Sequence, residues 1–296
     1  MELIRSADDL RRHTDDARAS GSSVALVPTM GALHEGHRSL LRRARTEHPM
    51  VVATIFVNPL QFASPADLEA YPRDERADLA TCKELGVDVV WAPAVDQIYP
   101  PGVDLPGPTP GPGSSMFEGT SRPGHFEGVL TVVHRLFDVT GPCTAYFGDK
   151  DAQQLFLVRR MVGAERLPVE IVACPTIREH DGLAASSRNA RLSPEEREQA
   201  GCLFLALSEA AALARRGAAD PGLVVAAMAR EVGATPLARL DYAAVIDDRT
   251  FEQADRLGRG VPARALLAVR FPSARLIDNL RLPEPAPEPE PAGGPG

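Results

Sequence analysis

VALVPTMGALHEGHRSLL, residues 24–41, reads as a buried strand, a glycine turn and the start of a helix that carries two histidines. The apolar run 24–27 stops at Pro28, Gly31 supplies the turn, and Leu40 and Leu41 open the apolar face of an amphipathic helix behind His34 and His37. A helix start exposes unpaired N–H groups and the positive end of the helix dipole, so it suits an anion. His34 and His37, three residues apart, fall on one face of the first turn. Two imidazole donors beside backbone N–H groups fit a phosphate chain that gains negative charge during a reaction. A histidine at a helix start is, however, often only a polar surface residue. A zinc protease would need H-E-x-x-H, whereas HEGH spaces its histidines three apart. Neither G-x-x-x-x-G-K-[ST] nor a G-x-G-x-x-G after a strand occurs, so a nucleotide would have to be held through the histidine pair.

Working outward, strands and helices alternate. Ser6 with Asp9 resembles a capping box for a first helix that Gly21 stops. Residues 51–57, VVATIFV, form an unbroken apolar run, as expected for a strand buried on both faces. Ser64-Pro65 opens a helix that Pro72 interrupts, and a further helix is expected over 74–85. Strands follow at 87–91, 144–147 and 169–172, with helices over 128–139 and 152–162 between them. The Pro- and Gly-rich stretch 100–113 reads as a mobile surface loop. Such alternation means βαβ units and a parallel sheet, whose ligands sit beyond the carboxyl ends of the strands. Polar clusters at 29–37, 58–62, 148–151 and from 175 on all fall at those ends and would converge in one crevice.

Past residue 176 the character changes. DGLAASSRN (181–189) is small and polar, Ser193-Pro194-Glu195-Glu196 caps an Ala-rich helix to about Arg216, and a helix over 223–232 precedes strands near 241–247, 265–270 and 275–280. The expectation is an α/β protein: a parallel-sheet domain over 1–175, a smaller α+β C-terminal domain over 176–282, and a disordered Pro/Glu/Ala/Gly tail over 283–296.

Composition sets bounds on this reading. The 296 residues allow two ordinary domains or one large one, and 44% hydrophobic residues are enough for a core. A net charge of −8 and a pI near 5.4 argue against general nucleic-acid binding but leave room for a small anionic ligand. Lys83 and Lys150 are the only lysines, which makes Lys150 conspicuous. Four widely spaced cysteines without a C-x-x-C suggest a reduced, cytoplasmic protein with buried thiols. The charged start MELIRSADDL and the lack of any 18-residue apolar stretch suggest neither signal peptide nor membrane span.

The remaining clusters admit two readings each. Lys150, between Asp149 and Asp151 at a strand-to-helix junction, is a salt-bridged surface lysine or, in the crevice, a compact cation for phosphate oxygens. Ser186, Ser187 and Arg188 offer hydroxyls and a planar guanidinium suited to phosphate, although short S-S-R runs are common in loops. Gln61 and Gln154 either orient a polar, carboxylate-bearing substrate or are ordinary loop and helix residues. Asp74 and Asp78, one helical turn apart, fit a Mg²⁺ and fit a solvated face equally well. His125 and His134 read as structural or surface residues.

Taken together, PTMGALHEGH, IFVNPLQF, YFGDKDAQQL and DGLAASSRN, in this order and at these separations, resemble the pantothenate synthetase (pantoate–β-alanine ligase) family, closely over 24–192 and more loosely to 280. HEGH alone would suggest only the wider nucleotidyltransferase superfamily. The resemblance implies a Rossmann-like parallel-sheet domain with a smaller α+β C-terminal lid domain, a homodimer, and ligation of pantoate to β-alanine with ATP and Mg²⁺, releasing AMP and pyrophosphate; the charge and hydropathy above speak against nucleic-acid and membrane partners. It further implies that Met30, Gly31, Ala32, Leu33, His34, Glu35, Gly36, His37, Gly148, Asp149, Lys150, Asp151, Ile177, Ala185, Ser186, Ser187 and Arg188 hold ATP. His37 would be the proton donor, with His34, Lys150, Ser187 and Arg188 on the phosphates. Gln61 and Gln154 would bind pantoate, Gln61 would also face β-alanine, and Asp78 would be the Mg²⁺-site aspartate. Asp149, Ala152 and Ala185 stand where the family commonly has Glu, an aromatic and Met. Two other classes stay open at this point. A nucleotidyltransferase acting on a phosphorylated acceptor would want a basic acceptor pocket, and a non-catalytic nucleotide-binding module would not need the histidine pair, Lys150 and the Ser-Arg run together.

Overall fold

A computed structural model of the chain describes residues 1–62, 64–103, 107–258 and 260–283. The tail expected to be disordered thus lies, from residue 284 on, outside the described residues, as do residues 104–106 of the loop expected to be mobile. The chain divides into two compact units. The first holds Met1–Ile177 and Ala185–Ser187; the second holds Arg178–Ala184 and the chain from Arg188 on.

The first unit is built on six parallel strands: β1 (Glu2–Ile4), β2 (Val24–Val27), β3 (Met50–Thr54), β4 (Val89–Trp91), β5 (Cys143–Gly148) and β6 (Val169–Cys174). Their order across the sheet is β1-β4-β3-β2-β5-β6. Successive side chains of a strand point to opposite faces, so a run with no polar residue must be covered twice. Val24 and Leu26 of β2 pack into one core with Trp91, Phe147 and the helices His125–Thr140 and Ala152–Glu165. Ala25 and Val27 pack into the other, against Leu40, Leu41 and Ala44 of the helix Glu35–Glu47 and Cys82 of the helix Glu75–Glu84. This is the parallel sheet of βαβ units that the alternation of elements predicts, in the Rossmann-like arrangement that the resemblance implies.

The strand order sets where a ligand can enter. After β2 the chain adds β3 and β4 on one side, then adds β5 and β6 on the other. The loops leaving β2 and β5 therefore diverge from neighbouring strands, which opens a crevice at their carboxyl ends.

The differences from expectation are local. β1 is an added edge strand, paired with β4 from Glu2↔Val89 to Ile4↔Trp91; three residues with an exposed Glu2 carry no readable period. The helix expected over 128–139 begins at His125, because Gly124 takes a left-handed conformation (φ 78°) that starts it early. The single Ala-rich helix is two, Pro194–Gln199 and Cys202–Arg215, broken at Ala200-Gly201.

The second unit has its own core. Strands β7 (Arg239–Asp247), β8 (Ala263–Arg270) and β9 (Arg275–Leu282) form an antiparallel sheet against the helices Cys202–Arg215 and Pro221–Gly233, with Leu203, Met228, Leu267 and Leu276 among the buried contacts. Arg178 ties its first segment to β9 through two bonds to the Asp278 carboxylate, at 2.6 and 3.1 Å. All four cysteines are free thiols. No helix among the described residues is long and apolar enough to cross a membrane.

Candidate active site

The loop after β2 is fixed by threonines. Thr29 Oγ1 donates to the Thr54 carbonyl (2.5 Å), Thr29 N–H donates to Thr54 Oγ1 (3.1 Å), and Gly31 N–H donates to Thr29 Oγ1 (3.1 Å). Gly31 (φ 77°) and Ala32 (φ 50°) are then both left-handed, which costs a non-glycine residue about 1 kcal/mol or more. Asp78 holds them there. Its Oδ2 accepts from Ala32 N–H (2.9 Å) and its Oδ1 from Leu33 N–H (2.8 Å), in a side chain only 4% exposed. A Cβ on Gly31 would come 2.7 Å from Asp78 Oδ2, so glycine is needed there for space as well as for φ.

Next comes the helix Glu35–Glu47, capped by His34. Gly36 N–H donates to His34 Nδ1 (3.2 Å), and His34 N–H donates to His37 Nδ1 (3.4 Å). The glycine of HEGH has a reason in this geometry: a Cβ at residue 36 would meet His34 Cε1 at 2.9 Å. The two rings lie 4.1 Å apart between centroids. A ring nitrogen that accepts a hydrogen bond carries no proton, so each neutral ring holds its one proton on Nε2. Burial pushes the His37 pKa down to about 3, with His34 close by acting in the same direction. Burial also lowers that of His34, and the Lys150 ammonium adds to the effect. The pair is thus two neutral Nε2–H donors near Lys150. His37, the expected proton donor, is in this state a neutral ring whose Nδ1 is taken up by the His34 N–H, so that only an Nε2–H faces outward; giving up that proton would leave an imidazolate.

The end of β5 supplies the Lys150 cluster. The Lys150 ammonium lies 3.6 Å from Asp151 Oδ1 and is largely buried. Both residues act electrostatically on His34 and His37, which brings the cluster after β5 to the one after β2. The turn Pro59–Gln61 arrives from β3, with Gln61 Nε2 2.9 Å from Met30 Sδ. Ala185 N–H donates to the Ile177 carbonyl (2.9 Å), and the Ala185 carbonyl lies 4.0 Å from where a Cβ on Gly36 would stand. Ala152 and Ala185 are both buried. Gln154 sits in the first turn of the helix Ala152–Glu165, half-buried. Ser187 closes the first unit, while Arg188 belongs to the second.

Three features escape a reading of the sequence. His125 is a buried ring whose Nδ1–H donates to the Gln61 carbonyl (2.9 Å), while its Nε2 accepts from Arg122 (2.9 Å), a group that can only donate. Burial, helped by Arg122, pushes its pKa down to about 4. Gly128 lets the helix approach the turn Pro59–Gln61 so closely that a Cβ there would lie 2.3 Å from the Leu60 carbonyl oxygen. A glycine within a helical apolar pattern is the signal that could have revealed this contact. Gln153, beside Gln154, is the third.

The aspartate pair fits a resident cation poorly. Asp74 caps the helix Glu75–Glu84 by accepting from Ala77 N–H (3.0 Å), and both oxygens of Asp78 are engaged by the loop. Among the described residues no three His, Cys, Asp or Glu side chains come together to hold a metal.

The family model for pantoate-beta-alanine ligase matches residues 2–281. A pantothenate synthetase of Rhizorhabdus wittichii is 49% identical over 289 residues, which are 97% of this chain and 100% of the relative. One of Roseiflexus castenholzii is 50% identical over 286 residues, 94% of this chain and 98% of the relative. The crystal structure of pantothenate synthetase from Thermus thermophilus superposes with a TM-score of 0.88 at 45% identity, covering 96% of this chain and all of that one (100%). A pantoate-beta-alanine ligase of Francisella tularensis, solved with beta-gamma ATP and beta-alanine, gives a TM-score of 0.76 at 32% identity, with 95% of this chain and 97% of that one covered. On sequence and fold, the chain belongs to the pantoate–β-alanine ligase family.

Proposed function

We propose that the chain ligates pantoate to β-alanine with ATP, through a pantoyl-adenylate, and releases AMP and pyrophosphate. The observation that carries this reading is the helix N-terminus at the switch point of the sheet, which presents two neutral imidazoles near Lys150. A carboxylate is a poor acyl donor because its leaving group would be oxide. In the first step a pantoate carboxylate oxygen bonds to the α-phosphorus of ATP, and the bond to the pyrophosphate oxygen breaks. In the second, the amine of β-alanine bonds to the acyl carbon, AMP leaves with the electrons of the acyl C–O bond, and the amine proton passes to solvent.

Charge builds on phosphate oxygens in the first step. His34 and His37 meet it with Nε2–H groups, Lys150 with a full charge, and Ser187 with a hydroxyl. Neutral donors suit this work, since their proton stays in place while the oxygen charge changes. Gln61 and Gln154 hold pantoate, and Gln61 also faces β-alanine; neutral amides match a substrate whose own carboxylate must stay nucleophilic. The remaining ATP contacts, Arg188 among them, rest on the family resemblance. Mg²⁺ enters as the companion of the ATP phosphates. Homodimerisation and a cytoplasmic location belong to the same proposal.

The test is ATP–pyrophosphate exchange with pantoate present and β-alanine absent. Exchange is expected with pantoate alone. If label enters ATP only after β-alanine is added, the free-standing adenylate step is wrong.

A further inference from the structure

Gln153 is the second residue of the helix Ala152–Glu165 and only 5% exposed. Its Nε2 donates to the carbonyls of Gly113 (2.7 Å) and Met116 (2.8 Å), and its Oε1 accepts from Glu118 N–H (3.1 Å). Both donors and the acceptor are used, and two facing carbonyls fix which end of the amide is NH₂. The segment it holds is tightly folded. Phe117 has φ 51° and ψ −110°, a strained conformation for a non-glycine residue, and a Cβ on Gly119 would lie 1.6 Å from the Ser114 carbonyl oxygen. From Glu118 the chain turns once, in the helix Glu118–Ser121, and reaches Arg122. Arg122 bonds His125, and both bond the Gln61 carbonyl, at 3.4 Å from Arg122 and 2.9 Å from His125.

A continuous path of hydrogen bonds and one short helix thus runs from Gln153, the neighbour of Gln154, to Gln61. We propose that Gln153 is a positioning residue for the acceptor side of the site. Its amide latches the segment 113–118, and through Arg122 and His125 that segment sets the Gln61 turn relative to the helix that carries Gln154. This rests on the assignment of Gln61 and Gln154 to pantoate. A side chain that sets the distance between two substrate-holding groups acts on binding of that substrate, and leaves the nucleotide side nearly untouched.

Two variants of the full-length chain test it. Gln153→Met keeps the length and removes every hydrogen bond; Gln153→Glu keeps the acceptors and turns a charge on the two carbonyls. In both, the pantoate KM is expected to rise about tenfold while the ATP KM stays within about twofold. Hydrogen exchange of residues 113–125 and 58–62 is expected to rise above that of β2 and β5. A purely structural role would move neither KM, or both together, and would spread the faster exchange over the unit; either result overturns the proposal. Unchanged exchange at 113–125 overturns the latch whatever the kinetics. Failure of the underlying functional reading would show in the parent protein, as a lack of pantoate-dependent turnover, and the exchange measurement would still decide the latch.

Discussion

His37→Ala and Lys150→Ala are each expected to lower kcat by roughly 10²-fold or more while the fold survives, because under the proposed mechanism each removes one preorganised group facing charge that grows in the transition state. Steady-state kinetics beside a matched melting curve check this, and near-normal turnover in either folded variant would remove that residue from the chemistry. For His37 the mechanism makes a second, sharper demand. The ring is neutral by geometry, since its Nδ1 accepts the His34 N–H, and burial pushes its pKa down to about 3. Its Cε1–H resonance, assigned by comparison with the variant, should therefore not titrate between pH 7.5 and 5 in the ligand-free protein. Titration near 6.5 would restore the imidazolium and the proton-donor role.

The same burial links His37 to acid stability, and the sign is definite. An unfolded histidine takes up its proton near pH 6.5 and the folded one only near 3. Below 6.5 the unfolded state binds more protons. The contribution is thus complete above pH 6.5 and is lost as the pH falls toward 3, at up to about 1.4 kcal/mol per pH unit. His37→Ala should flatten the fall in melting temperature between pH 7 and 5, and an equally steep fall would place the acid-sensitive group elsewhere.

How far the sequence carried this reading depended on whether a residue's role is local. Val24 to Val27 declare a doubly covered strand because every position is apolar, and the observed cores take them alternately. HEGH declares a helix start, and its glycine fits because the cap ring of His34 lies over it. Strand order is a property of distant pairings, so β1 and its place beside β4 had no local signature. The same holds for polar partners. Gln153 and Gln154 are indistinguishable in the sequence; one is used up inside by a segment some forty residues earlier, and only the fold decides which. His125 read as structural, and its ring does hold a carbonyl, but that the carbonyl belongs to Gln61 could not be foreseen. Asp74 and Asp78 looked like a pair at helical spacing. The fold gives them unrelated work: one caps its own helix and the other clamps the loop after β2.

Asp78→Asn is expected to be the most destabilising conservative change in the first unit. Only one oxygen remains, and an NH₂ now faces either Ala32 N–H or Leu33 N–H in a place water scarcely reaches. A buried donor left without an acceptor costs about 1–3 kcal/mol, and a charge-assisted bond is lost as well. About 3 kcal/mol in all corresponds to a melting temperature lower by roughly 6–12 °C for a unit of this size. Without the clamp, Ala32 has no compensation for its left-handed backbone, so the loop relaxes and His34 and His37 leave the positions in which the proposed function has them hold the nucleotide. The ATP KM should rise with the fall in stability, and Asp78→Glu should fare no better, since an extra methylene pushes the carboxylate into Gly31. A Mg²⁺-ligand role predicts differently: a weakened metal site is refilled by mass action, so excess Mg²⁺ would restore activity. A clamp offers nothing for the ion to repair. Titrating Mg²⁺ into Asp78→Asn at saturating pantoate and β-alanine separates the two, and recovery of the parent rate at high Mg²⁺ would give Asp78 back to the metal.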